Sequence, residues 1–229
     1  IQDSFLKGNF LAIDSLSNPD ENLRTLYGGI NFINTTVQLQ TLDLNNSQSE
    51  DAVNFIDSEI SILNINADNI SSDAIDSDFS DLSISSINCS NVKNDCLDLS
   101  FTKAIVSSLD GKLIGDKVIS LGEKSSLSID KIRSEDSQIG LVSKDSSTLI
   151  VNSYKYNNLK VPIAAFVKKP EFGSPIINIK EINPTIQSNY LVANDAIVFV
   201  KSQPLYSNLT SSQIENMLYG NLYGIKTVR

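Results

Sequence analysis

No histidine and no tryptophan occur anywhere in the 229 residues. The first absence removes every Ser-His-Asp, Cys-His and His-ligated metal arrangement. The second removes the best platform for stacking a sugar ring. Arginine is scarce: Arg24, Arg133 and Arg229 are all there are, so a lyase mechanism has few groups to neutralise a uronate carboxylate. The two cysteines, Cys89 and Cys96, are too few for a disulfide framework and match neither a CxxC pair nor a zinc ligand set. Buried or semi-buried free thiols are expected, with one local disulfide as the alternative. No apolar run reaches the roughly 18 residues of a membrane helix, and the opening residues lack a basic-then-apolar leader, so no membrane span and no export signal are expected. Because Ile1 to Leu6 already alternates like a strand, the numbering is expected to begin inside a larger protein.

Positive charge is in deficit too. With 27 Asp and Glu against 18 Lys and Arg, the net charge is −9 and the isoelectric point about 4.5. Nucleic-acid phosphates and anionic lipid are disfavoured partners, while cations and neutral or cationic surfaces remain.

What the chain does have is a repeat. Asp51-Ala52-Val53-Asn54, Asp73-Ala74-Ile75-Asp76, Asp95-Cys96-Leu97-Asp98 and Asp116-Lys117-Val118-Ile119 start at intervals of 22, 22 and 21 residues. A fixed period of this length means stacked, equivalent units. Aligning the aspartates sets Ile30, Val53, Ile75, Leu97, Val118 and Gly140 in an inward column. Further apolar columns run Val37, Ile60, Leu82, Ala104, Leu127, Leu149; then Leu39, Ile62, Ile84, Val106, Ile129, Val151; then Leu42, Ile65, Ile87, Leu109, Ile132, Tyr154. Offsets of two and then five residues describe a strand, a bend and another strand. Strands that recur one coil later run in the same direction, so the fold class is all-β: a parallel β-helix with about 22 residues per coil.

One domain is expected, with coils over about 28–203 and a capping segment over 204–229. Ser212-Gln213-Ile214-Glu215 reads as a capping box, Ile214, Met217 and Leu218 share a helical face, and Gly220 can end that helix. Ser17 to Glu21, with Leu23 and Leu26, reads as a short helix or helical loop between coils. Longer loops are expected at 168–175 and 202–210.

The runs Gly28-Gly29-Ile30-Asn31-Phe32, Asp73 to Phe79, Asn94 to Ser100, Gly115 to Ser125, Ser143 to Ser147 and Lys168 to Gly173 resemble a family of bacterial right-handed parallel β-helix domains of the pectate-lyase-like superfamily. Similar domains occur alone or beside CotH-type kinase-like modules in surface and secreted proteins. The resemblance implies a right-handed coil and export to the outside or the cell surface. It carries no catalytic set.

Three positions after the leading aspartates stand Asn31, Asn54, Asp76, Asp98, Ile119 and Leu141. If that column faces outward, Asp76 and Asp98 are like charges about 4.8 Å apart, and something must offset their repulsion. Asp73, Asp76, Asp78, Asp95 and Asp98 are therefore read as a sugar or Ca²⁺ site, with Asp76 and Asp98 as the metal ligands. The plainer reading is that the leading aspartates accept backbone N–H bonds at a repeated turn. Lys117, Lys144, Lys168 and Lys169 fall on successive coils and are read as one basic strip, or as partners of Glu123, Asp145 and Glu171. Tyr156 and Tyr190 are the expected stacking aromatics, and Tyr154 is expected in the core.

The expected role is a non-catalytic extracellular spacer or glycan-binding surface. The first alternative is a polysaccharide lyase or hydrolase using Asp76, Asp98 and Lys117. Asn94-Asp95-Cys96 looks superficially like a polygalacturonase segment, but those enzymes also use a histidine. A second alternative is a fibre or phage-tail-like module that associates end to end. Flanking domains are expected.

Overall fold

The computed structural model describes residues 1–15, 28–185 and 189–224. In chain order the strands are β1 (Phe5–Asp14), β2 (Gly28–Ile33), β3 (Thr36–Asn45), β4 (Asp51–Ile56), β5 (Glu59–Ile70), β6 (Asp73–Asp78), β7 (Asp81–Val92), β8 (Leu97–Ser100), β9 (Lys103–Ile114), β10 (Lys117–Leu121), β11 (Ser126–Lys144), β12 (Thr148–Phe166), β13 (Ile176–Asn183), β14 (Leu191–Val192), β15 (Ile197–Val200) and β16 (Gln203–Pro204). One helix, α1 (Ser211–Tyr219), follows. The helical segment expected at 17–26 lies outside the described residues.

Strands pair with their equivalents one coil away. β1, β3, β5, β7, β9, β11, β12, β13 and β15 form one stack, and β2, β4, β6, β8 and β10 form another that continues through the C-terminal ends of β11 and β12. Apart from the short antiparallel β15–β16 pair, every strand pairing is parallel. This is a parallel β-solenoid of about eight turns.

The three expected apolar columns of the long strands are in register and buried throughout. β5, β7 and β9 bend where two consecutive residues face out, and each bend shifts the inward parity by one. That shift produces the two-then-five offset.

Two corners per coil adopt positive φ. Asn46, Asn69 and Asn91 take one corner, and their amides form a ladder, Asn69 donating to Asn46 at 2.6 Å and Asn91 to Asn69 at 3.0 Å. Asparagine tolerates this conformation better than most residues. Just inside the other corner runs a ladder of buried hydroxyls. Ser58, Ser80, Thr102 and Ser125 each accept the amide of the equivalent residue one coil earlier, at 3.0, 3.0, 3.2 and 3.2 Å. Each also donates to a buried carbonyl, so a corner that would strand a polar group is satisfied on both sides.

Cys89 and Cys96 are not free: they form a disulfide, with Cα atoms 6.0 Å apart. Both side chains turn inward, from the end of β7 and the entry to β8, and meet across the corner. The capping box also sits two residues earlier than expected. Thr210 is the N-cap and Gln213 closes the box, while Gly220 ends α1 as expected.

Candidate ligand-binding face

On the outside of the β2-to-β10 sheet, side chains line up in three rows. The first runs Gly28, Asp51, Asp73, Asp95, Lys117, Ile139, Val161. The second runs Asn31, Asn54, Asp76, Asp98, Ser120, Val142, Ala164. The third includes Ile56, Asp78 and Ser100 and continues to Lys144 and Phe166. Along the solenoid this face passes from carboxylates, through Lys117, Ser120 and Lys144, to an apolar patch of Ile139, Val142, Val161, Ala164 and Phe166. That patch packs with Ile214 and Leu218 of α1.

This register corrects the sequence alignment at one coil. Asp116 bonds through its amide to the carbonyl of Asn94, one position before the row. Lys117 takes the leading place, Ser120 and Val142 face out, and Ile119 and Leu141 go into the core. The period stays at 22 residues between Asp95 and Lys117.

Of the leading aspartates, Asp73 and Asp95 accept backbone amides, and they do so from the next coil. Asp73 Oδ1 accepts from Asp95 N at 2.6 Å and Asp95 Oδ1 from Lys117 N at 2.8 Å. They pin coil to coil where a side chain already has to face a ladder amide. The Lys117 ammonium lies 3.4 Å from Asp95 and pairs with Asp116. Those two carboxylates raise its pKa well above the usual lysine value against the opposing effect of burial. A lysine held protonated this way is no general base. Lys144 is buried and donates to Ser120 Oγ at 3.0 Å.

Toward the N-terminal end of the rows, no cation among the described residues pairs with the acids. Burial first, then the charges of Asp51, Asp98 and Asp78, push Asp76 up to about 9. Burial first, then Glu50, Asp98 and Asp78, push Asp51 up to about 7, with Asn54 pulling the other way. Asp73 is raised by burial and by Asp95, and Asp78 by burial and by Asp98. At neutral pH Asp76 is a carboxylic acid, able to donate and to accept. Asn54, 5% exposed, gives its Nδ2 to Asp51 at 3.4 Å, and its Oδ1 has no partner among the described residues.

Beside the third row, Phe79 and Phe101 occupy the positive-φ corner that earlier coils fill with Asn34 and Asp57. Their rings stack at 4.8 Å with an interplanar angle of 7°, 60% and 39% exposed, and Phe172 meets Phe101 edge-on at 6.1 Å. Lys124, at the same corner one coil on, lies over the Phe172 ring at 6.0 Å. These aromatics are absent from the sequence-based site. Their signal was the 22-residue spacing of two phenylalanines at a corner column of Asn and Asp.

The face therefore gathers Asp73, Asp76, Asp78, Asp95, Asp98, Lys117 and Lys144. Lys168 reaches its rim, with Nζ 4.6 Å from the ring centre of Tyr219, the α1 residue that also lies 5.4 Å from the Lys117 ammonium. Lys169 pairs with Glu123 instead of extending the strip. Tyr156 is not at this site. It follows Ser134 in an inward column on β12 and tilts against the buried Tyr154 at 5.3 Å. Tyr190 is tied to the Tyr206 carbonyl at 3.0 Å.

Among the described residues no group of three or more Asp, Glu, Cys or His is arranged to hold a metal ion, and no helix is long and apolar enough to cross a membrane. Comparison with protein-family models, curated proteins and solved structures gives no match.

Proposed function

We propose that the chain is a non-catalytic, secreted or cell-surface β-helix of the pectate-lyase-like kind, a rigid spacer whose outer β4–β6–β8 face binds extracellular glycan. The observation that carries this reading is the juxtaposition of the Asp76, Asp78 and Asp98 carboxyls with the exposed Phe79–Phe101 stack. Sugar rings present an apolar C–H face and a rim of hydroxyls. Parallel aromatics suit the first, and a carboxyl row in which Asp76 both donates and accepts suits the second. Because burial, with neighbouring charge added to it, keeps a proton on Asp76 and raises Asp51, the face carries less charge than its formula suggests, which favours a neutral glycan over a free cation. The Cys89–Cys96 disulfide supports an oxidising compartment outside the cytosol.

An acid beside carboxylates is also the raw material of a glycosidase, which favours hydrolysis as the second reading. The lyase version lacks a base, because Lys117 is locked in its ion pairs. Retention on immobilised neutral, amino and uronate polysaccharides, with and without Ca²⁺, together with an assay for new reducing ends, separates these readings. Retention without cleavage is expected. Phe79→Asn with Phe101→Asn restores the residue type of the earlier corners and should keep the fold while weakening retention about tenfold, the scale of one or two aromatic contacts. Cleavage, or retention indifferent to the double variant, would overturn the proposal.

A further inference from the structure

Asp73 and Asp95 both hold the backbone amide of the next coil, but only Asp95 is followed in its row by a lysine. The Lys117 ammonium lies 3.4 Å from each oxygen of Asp95 and also pairs with Asp116. Being equidistant from Oδ1 and Oδ2, Nζ lies in the plane that bisects the carboxyl and contains Cγ. Asp95 Oδ1 meanwhile accepts the Lys117 backbone amide at 2.8 Å. Asp116 Oδ1 is buried and has no partner among the described residues. The place is dry: Asp95 is 2% and Lys117 4% exposed, and the Tyr219 ring centre lies 5.4 Å from Nζ. A nucleophile, a carboxyl carbon, an oxyanion donor and a proton carrier therefore meet in one buried spot.

We propose that Lys117 Nζ and Asp95 Cγ condense into an amide, a covalent cross-link between neighbouring coils. Asp116 passes one ammonium proton to Asp95 Oδ2, which leaves a neutral amine beside a carboxylic acid. Nζ attacks Cγ, and the charge that develops on Oδ1 is met by the Lys117 N–H already bonded there. Asp116 takes a second proton from the nitrogen and delivers it to Oδ2, which departs as water with the Cγ–Oδ2 bonding pair. One C–N bond forms, one C–O bond breaks, nothing is oxidised, and Asp116 ends as the carboxylate it began as.

The surroundings favour this exchange. Burial raises Asp95 above the usual carboxylate range, and Asp116 and Asp98 push the same way against the pull of Lys117, so Asp95 takes up a proton more readily than a free carboxylate does. The pairing that keeps Lys117 protonated excludes a base needed at every turnover, but a link made once needs the neutral amine once. Condensation replaces a buried ammonium and a buried carboxylate by a neutral amide and relieves the desolvation that both ions carry. The exclusion of water that favours the amide also protects it from hydrolysis. None of this depends on what the outer face binds.

Mass spectrometry of the full chain, reduced and denatured, should give the sequence mass less one water. Trypsin should leave residues 94–103 joined to residues 113–124, with Lys117 uncleaved. Asp116→Asn keeps the shape but carries no proton, and Lys117→Met removes the nucleophile. Both should return the full sequence mass and separate fragments, with far-UV circular dichroism unchanged. If neither variant folds, the mass and the joined fragments of the unsubstituted chain decide the matter alone. The full sequence mass in that chain, a link from Lys117 to Asp116 instead of Asp95, or a water loss that survives either substitution would overturn the proposal.

Discussion

Asp76 shows how a residue harmless in one coil becomes a titration problem in a stack. It lies between Asn54 and Asp98 in the stack; burial pushes its pKa up first, and the neighbouring aspartates add to that push. The folded pKa of about 9 lies far above the ordinary aspartate value of 3.8, and Asp51 follows at about 7. The unfolded chain loses both protons near pH 4, while the folded chain keeps them. The unfolded state therefore binds fewer protons between the two limits, and stability falls as pH rises. The decline involves both groups from about pH 4 to about pH 7, then Asp76 alone to about pH 9. Asp76→Asn keeps the shape and removes the charge. It should stabilise the protein by about 1–3 kcal/mol near pH 8 and by little near pH 4. Thermal midpoints of both proteins across that range check this, and an equal gain at every pH would refute it. The sequence made this pair legible, because Asp76 and Asp98 stand 22 residues apart in an outward column. It did not reveal Phe79 and Phe101 as partners of the carboxyls. A bulky residue at positive φ contradicts local preference, so a phenylalanine there reads more readily as core.

At the scale of elements, the long strands were readable because each deposits several side chains in the dry interior, where a single polar residue would be conspicuous. The short strands were harder. Where β8 gives way to β10, the lure of a fourth aspartate outweighed the period, and Asp116 took the place of Lys117. The error turned Ile119 and Leu141 outward and hid Ser120 and the apolar patch under α1. The disulfide stood only as the alternative to free thiols for a related reason. Cys89 lies in β7 and Cys96 just before β8, and only the sharpness of the corner between these strands brings them together. Alkylation of the denatured, unreduced protein should therefore find no reactive thiol. Cys89→Ser with Cys96→Ser should lower stability by about 2–3 kcal/mol, the chain-entropy value for so short a loop. Two labelled cysteines before reduction would remove the assignment.

Across the whole molecule each coil touches only its neighbours, so stability is a sum of similar units and the ends are weakest. β5, β7 and β9 have a partner on either side, whereas β1 has one. Amide hydrogen exchange should be slowest for the inward residues Ile62, Ile84 and Val106 and faster by orders of magnitude for Leu6 and Ile13, whose opening frees one edge only. Uniform exchange along the solenoid would mean that it unfolds as one block, and the picture of independent, neighbour-coupled coils would have to be abandoned.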